Sequence, residues 1–258
     1  MTIDLKDVTF LIPFKKDSDE RLRNINFVIK YLSKHFNTNI SIMEQDIEQK
    51  FVLEPVDNNC TITYEFIKAN DYLFHRTKLL NLMAKKATTS VICLYDLDVV
   101  FKIEQYISSY QAISTNACDM IFPYDGRFIN YSGEGLTTIL NNVSLDGITE
   151  QMGGCYNPNS VGGAIFYNKN KFIEYGMENE NFISWGFEDI ERGFRANMLG
   201  LKIARVAGIL YHLNHPTSDN SSNVRHKAYI DNNRELNRVQ SMNKFELQQY
   251  IKTWTWTR

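Results

Sequence analysis

Paired cysteines are absent from the sequence. Cys60, Cys93, Cys118 and Cys155 lie far apart and form no CxxC pair, which argues against a zinc knuckle or a disulfide framework and leaves reduced, partly buried thiols as the expectation. An excess of positive charge is absent too: 28 Lys and Arg stand against 30 Asp and Glu, a formal net charge of −2. A general nucleic-acid binder would show a basic face in that count, so no nucleic-acid partner is expected, while a few local charges can still hold a small anion. No apolar run approaches the roughly 18 residues of a membrane span, and the opening MTIDLKDVTFLIPF lacks the regions of a secretory signal. A soluble, cytoplasmic protein is therefore expected. No P-loop of the form GxxxxGK(S/T) is present, nor any internal repeat, low-complexity tract or Pro/Gly/Ser linker, so residues 1–258 read as a single domain with a short C-terminal appendage.

What is present is an ordinary globular composition, 43% hydrophobic and 22% charged, long enough for one well-buried core. VTFLIPF (Val8–Phe14) predicts a strand and the segment from Asp17 to Phe36 a helix, with Leu22, Ile25, Val28, Ile29 and Leu32 near helical spacing. NISIMEQ follows as a second strand and Phe74–Ala87 as a second helix. In SVICLYDLDVVF, Val91 to Leu94 form the continuous apolar run of a strand buried on both faces. The alternation predicts an α/β sandwich, whose ligands collect at the carboxyl ends of the strands. Cys118–Gly163 reads as turn-rich, AIFYNKNKFIEYG as a strand and short helix, FEDIERGFRANMLG as a helix closed by Gly200, KIARVAG as a strand, and NKFELQQYIKTW as a last helix capped near Asn243 or Ser241.

Three polar clusters could carry chemistry. Asp96 and Asp98 end the buried strand, where extended alternation would point both carboxylates the same way. Such oxygen ligands suit Mg²⁺ or Mn²⁺; a solvated turn is an equal alternative for this triplet taken alone. His212 and His215 follow another apolar run and offer imidazole ligands, whereas His75 and His226 carry no such pattern. Glu188 and Asp189 open a helix, where the dipole favours carboxylates whatever the function; read as catalytic groups, they would need Trp185 and Gly186 to shape a pocket for a flat sugar face.

Taken in order, these segments resemble the β-1,4-galactosyltransferases. FHRTKLLNLMAKKATTSVICLYDLDVVF is similar to that family's F-x-R-x-K-L-L-N helix and D-x-D strand, NPNSVGGAIFYNKNKFIEYG to its Gly-Gly strand, SWGFEDIERGFRANMLGLKIAR to its W-G-G-E-D segment, and LIPFKK to its I-P-F-R loop. The likeness spans about three-quarters of the chain. It implies a GT-A glycosyltransferase fold, a Rossmann-like α/β/α sandwich with a mixed central sheet. A nucleotide-binding half would occupy about 1–115, an acceptor and metal half about 116–240, and a C-terminal helix and tail 241–258. It further implies a UDP-sugar donor and Mn²⁺, with Mg²⁺ as the alternative. Pro13, Phe14, Lys15, Phe74 and Arg76 would frame the uridine and diphosphate. Asp98 would ligate metal and Asp96 the ribose or a metal-bound water. Gly162 and Gly163 would let the sugar approach the backbone. Trp185, Gly186 and Phe187 would bind the acceptor, with Asp189 as base and Glu188 holding hydroxyls.

Phe187 stands where the family has glycine, and Asp17 where it has an arginine, which gives Lys15 or Lys16 the phosphate. His212 and His215 compete as metal ligands; His212 is favoured because Y-H also resembles bacterial chondroitin-type polymerases. The implied reaction is inverting transfer of galactose or N-acetylgalactosamine from a UDP-sugar to a saccharide or lipid-linked saccharide. A chondroitin-type transferase of N-acetylhexosamine or glucuronic acid, or a non-catalytic nucleotide-sugar-binding domain, is the alternative. Residues 128–160 have the length and glycine content of a closing lid or of a static loop. The tail from Glu246, with Trp254, Trp256 and Arg258, would pack on the domain or rest peripherally on the inner face of a membrane.

Overall fold

The computed structural model describes residues 2–56, 59–218, 220 and 227–257. The first βαβ unit follows the apolar pattern: β1 (Ile3–Phe14), α1 (Asp19–His35) and β2 (Phe36–Asp46). Ser18 caps α1 by accepting the Arg21 N–H at 3.3 Å, and Asp19 and Glu20 sit at its positive end. Next come β3 (Cys60–Lys68), α2 (Arg76–Lys86), β4 (Val91–Tyr95), the two-residue β5 (Val99–Val100), α3 (Ile103–Ser114) and β6 (Met120–Phe122). The chain continues through β7 (Phe128–Tyr131), α4 (Gly133–Asn142), β8 (Gly154–Asn157), β9 (Ala164–Asn168), α5 (Lys169–Glu174) and α6 (Glu188–Leu199). It closes with β10 (Ile203–Arg205), β11 (Leu210–Leu213), α7 (Lys227–Gln240) and α8 (Lys244–Thr253), the last capped by Asn243.

Seven strands form the main sheet in the order β10-β6-β9-β4-β1-β2-β3. Only β9 runs antiparallel to its neighbours β4 and β6, so the sheet is mixed, as expected. Every residue of β1 from Val8 to Phe14 is buried, and every residue of β4 as well, which requires helices on both faces. The edge strand β3 alternates half-buried and exposed residues, and this weak pattern went unread in the sequence.

A second sheet, β5-β11-β7-β8, was not expected either. Two of its strands, β7 and β8, come from the segment that reads as turn-rich, so residues 128–160 hold β7, α4 and β8 instead of one long loop. Its register decides the chemistry: on β11, His212 stands opposite Val99 of β5 on one side and Asn130 of β7 on the other. The aromatic tail packs on the protein, with Trp254 only 2% exposed, stacked on Trp256 and lying beneath the Arg195 guanidinium. That burial removes Trp254 as a membrane anchor. No helix among the described residues is long and apolar enough to cross a membrane.

Candidate metal and acid-base site

The D-L-D segment is a turn and not an extended strand end, so the two acids do not share an environment. Leu97 is buried and anchors the turn, and the Asp98 carbonyl accepts the Leu213 N–H at 2.8 Å. Asp98 faces the histidines, whereas Asp96 faces Arg76.

Asp98, His212 and His215 bring one ligand atom each within 4.8 Å of one another. His215 Nε2 lies 3.0 Å from Asp98 Oδ2, and His212 Nε2 3.8 Å from Oδ1. Both tautomers are set from behind. His215 Nδ1 faces the Pro216 carbonyl at 2.8 Å, and a carbonyl only accepts. His212 Nδ1 faces Asn130 Oδ1 at 2.7 Å, while the Asn130 amide donates to Asn214 Oδ1 at 3.0 Å and so turns its own oxygen toward the ring. Each Nδ1 therefore carries hydrogen and each Nε2 presents a lone pair toward a carboxylate, an arrangement that a divalent cation reconciles. Helix α1 fixes the histidine loop: Asn24 Nδ2 donates to the Leu213 carbonyl at 2.7 Å and Arg23 Nη2 to that of Asn214 at 3.1 Å.

The protonation state of His212 agrees with this. Burial lowers the His212 pKa to about 4 against the pull of Asp98, so the ring is neutral at physiological pH. Burial would raise the Asp98 carboxyl, but the His215 hydrogen bond and the nearby Arg21 charge hold it well below the usual carboxylate range. For His215 the direction is the opposite: despite burial, the Asp98 carboxylate on its own favours a protonated Nε2 and raises its pKa. One carboxylate and two imidazoles form a donor set able to coordinate Mn²⁺ or Mg²⁺, with the imidazoles favouring Mn²⁺. Both His212 and His215 lie within the cluster.

On the other side of the turn, Arg76 joins the remaining acids. It occupies the first residue of α2, where the helix dipole disfavours a cation, and three carboxylates compensate. Its guanidinium bonds Asp96 and lies 3.4 Å from Glu188 Oε1 and 3.9 Å from Asp189 Oδ1. Burial, then the charge of Asp189, raises Glu188 to about 7, with Arg76 opposing. Asp189 is held from below by Arg192, whose Nη1 lies 2.6 Å from Oδ1. Arg192 in turn makes a bidentate pair with Glu178 at 2.7 and 2.6 Å, and the Glu178 backbone is bonded in both directions by Asn81 of the K-L-L-N helix. A Cβ on Gly162 would crowd Asp189 Oδ2, so any larger residue there must displace that oxygen. The Gly162–Gly163 turn is tied to the acid side, since the Gly163 carbonyl accepts the Asp96 N–H at 2.8 Å, and Tyr124 Oη donates to the Gly162 carbonyl at 2.6 Å.

The Ser184–Phe187 segment, expected to bind an acceptor, is backbone-strained and well supported. Ser184, Gly186 and Phe187 all have positive φ, with Phe187 at 73° as the N-cap of α6. Asn232 of α7 holds the loop, donating to the Ile183 and Gly186 carbonyls at 2.9 and 3.1 Å and accepting the Ile183 N–H at 3.1 Å. Tyr229, one turn earlier, stacks on Trp185 at 5.6 Å and leans on Phe187 at 4.7 Å.

The expected nucleotide frame is more buried than its proposed role suggests. Pro13 and Phe14 end β1, and Phe14 has no exposed surface because its ring closes the core against Phe51. Phe74 is also buried, its carbonyl accepting the Ser184 N–H at 2.8 Å. Lys15 is 4% exposed and bonds Asp46 at 3.2 Å, while Lys16 pairs with Asp19 at 2.8 Å. The cation set beside the metal ligands is instead Arg21, with Nη1 3.3 Å from His215 Nε2. Both half-sites also draw on both halves of the chain, since Asp98, Arg76 and Asp96 precede residue 115 while His212, His215, Glu188 and Asp189 follow it. Arg192 stands three residues after Asp189 on a helix, a spacing that signals an ion pair. Arg21, Asn130, Tyr229 and Asn232 carry no comparable sequence signal. His226 lies outside the described residues.

No protein-family model and no curated protein matches the chain. Solved structures match it in fold. The catalytic domain of Drosophila β1,4-galactosyltransferase 7, in complex with xylobiose, aligns over 88% of this chain and 79% of its own, at 15% identity and a TM-score of 0.55. Mannosyltransferase PcManGT from Pyrobaculum calidifontis, in complex with GDP-Man and Mn²⁺, aligns over 95% and 68%, at 8% identity and a TM-score of 0.53. S. aureus TarS 1–349 aligns over 81% and 60%, at 12% identity and a TM-score of 0.54. The likeness at these identities is one of fold: a mixed α/β sheet flanked by helices, of the GT-A glycosyltransferase type.

Proposed function

We propose that this protein is an inverting, metal-dependent glycosyltransferase that moves galactose or N-acetylgalactosamine from a UDP-sugar to a hydroxyl of a free or lipid-linked saccharide. The observation that carries the reading is the single turn joining two half-sites. Asp98 gathers His212 and His215 on one side, and Asp96 gathers Arg76, Glu188 and Asp189 on the other. A GT-A fold sets that turn at the carboxyl end of β4, where ligands of such sheets bind.

Mn²⁺ held by Asp98, His212 and His215 would neutralise charge on the departing nucleoside diphosphate. The chain's own groups do the rest. Asp189 Oδ1 is bound by Arg192, so Oδ2, lying over Gly162, is the oxygen that takes the acceptor proton. The freed oxygen forms its bond to C1 as the C1–O bond to the diphosphate breaks, its electron pair leaving with UDP. One displacement inverts the anomeric centre. Glu188 and Asp96 hold sugar hydroxyls, and Trp185, Gly186 and Phe187 form the acceptor ledge.

The test is Mn²⁺-dependent release of UDP or GDP from a panel of UDP-galactose, UDP-N-acetylgalactosamine, UDP-N-acetylglucosamine, UDP-glucuronic acid and GDP-mannose, with and without EDTA. Turnover of either galactose-series donor, lost with EDTA, is expected. A preference for glucuronic acid or N-acetylglucosamine would favour the chondroitin-type alternative, and no metal-dependent turnover with any donor would overturn the reading.

A further inference from the structure

Arg21 is the least satisfied cation of the site. Its Nη1 lies 3.3 Å from His215 Nε2 and 3.9 Å from Asp98 Oδ2, two of the three atoms that would ligate a metal. Its Nε is buried and has no hydrogen-bond partner among the described residues. A guanidinium carries five donors in a planar fork matched to paired anionic oxygens, and this one is used along one edge alone. The neighbouring cations are committed elsewhere: Arg23 to Asn24 and the Asn214 carbonyl, Lys15 to Asp46, Lys16 to Asp19.

We infer that Arg21 makes metal and nucleotide binding mutually dependent. A cation drawn to Asp98 and the histidines must share their atoms with a fixed positive charge, so the metal alone binds weakly. A diphosphate changes the sign of that interaction. Its oxygens would be ligands for the metal and acceptors for the Arg21 guanidinium, so the charge that repelled the metal would hold the anion beside it. Linkage then requires metal and diphosphate to strengthen one another equally. The role rests on the proposal that the ligand is a nucleoside diphosphate; the antagonism toward the metal does not.

The test compares the wild-type chain with Arg21→Gln. Binding of Mn²⁺ alone is followed by the electron paramagnetic resonance of the free ion, and binding of UDP in saturating Mn²⁺ by calorimetry. The variant is expected to bind Mn²⁺ alone about tenfold more tightly and UDP about tenfold more weakly. Arg21→Ala removes the same charge and gives the same opposed shifts should glutamine disturb the helix. Unchanged or weaker Mn²⁺ binding in both variants, or no Mn²⁺ binding by any of the three proteins, overturns the antagonism. UDP affinity unchanged in the variants overturns the coupling. If the wild type binds Mn²⁺ but no UDP, the glycosyltransferase reading fails separately, and the Mn²⁺ arm still judges Arg21.

Discussion

Arg192 Nη1 lies 2.6 Å from Asp189 Oδ1, and a Cβ on Gly162 would lie 2.4 Å from the other oxygen of the same carboxylate. One oxygen of Asp189 is thereby fixed to the protein and the other is aimed across a glycine. Arg192 is itself fixed by Glu178, both side chains being at most 3% exposed.

Two substitutions test that placement from opposite sides. Arg192→Lys cannot reproduce a bidentate pair with Glu178 while reaching Asp189, and Gly162→Ala pushes on Oδ2 without touching the network below. Each is expected to lower kcat by about 100-fold with little change in the KM for donor, because a base displaced by an ångström loses its geometry and not its ligand. Arg192→Lys should also lower the melting temperature, since Glu178 keeps only part of its buried partner. Gly162→Ala should not, as its clash is with a side-chain end. Steady-state kinetics with thermal melts separates these; a normal kcat in both removes Asp189 from the base role.

Metal affinity should depend on a residue that never touches the metal. Asn130 fixes the His212 tautomer through a 2.7 Å contact, so Asn130→Ala is expected to weaken Mn²⁺ binding 10- to 100-fold. Asp98→Asn, which removes the anionic ligand, should weaken it further. Calorimetry of Mn²⁺ in the presence of UDP measures both, and equal affinity for wild type and Asn130→Ala would show that His212 is not a ligand.

Glu188 provides a test by pH. Its folded pKa is raised from an ordinary 4.5 to about 7 by burial and by Asp189, against Arg76. Between those values the folded protein holds a proton that the unfolded chain has released, so this group's contribution to stability falls as pH rises from about 4.5 to about 7. Glu188→Gln abolishes the dependence. Denaturation at a series of pH values should show the variant gaining on the wild type by roughly 1–3 kcal/mol across that window. A difference that does not change with pH would place the Glu188 pKa near its ordinary value.

The elements legible in the sequence were those whose apolar pattern is dense. Val8–Phe14 and Val91–Leu94 announce buried strands because burial on both faces leaves no polar alternation to confuse them. The edge strand β3 and the strands β7 and β8 of the second sheet were not legible, since β3 and β7 are only partly buried, β8 is exposed, and their pairing is long-range. The same divide runs through the site. Asp98, His212, Glu188 and Asp189 stand in recognisable local settings, whereas Arg21, Asn130 and Asn232 act through contacts across 194, 82 and 46 residues of chain. The D-L-D turn misled because period-two alternation presumes an extended chain, and the chain turns at Leu97 to separate its two acids.

Phe187 is the residue whose backbone and side chain argue against each other. At a φ of 73° it occupies a conformation that glycine adopts freely and a bulky residue at a cost of roughly 1–3 kcal/mol. Its ring recovers part of that by leaning 4.7 Å from Tyr229, an aromatic contact of roughly 0.5–1.5 kcal/mol. Phe187→Gly removes both terms, so stability should change by no more than about 1–2 kcal/mol, and the fold is preserved for a functional test. The metal and acid groups are untouched, so Mn²⁺-dependent donor hydrolysis should persist at the wild-type rate. Removing the ring opens space beside Tyr229, which also stacks on Trp185, and the variant should then accept saccharides that the wild type rejects. A panel of mono- and disaccharide acceptors measures this directly. An acceptor profile identical to wild type, with hydrolysis intact, would mean that Phe187 shapes only the loop and that acceptor choice is made by residues other than this one.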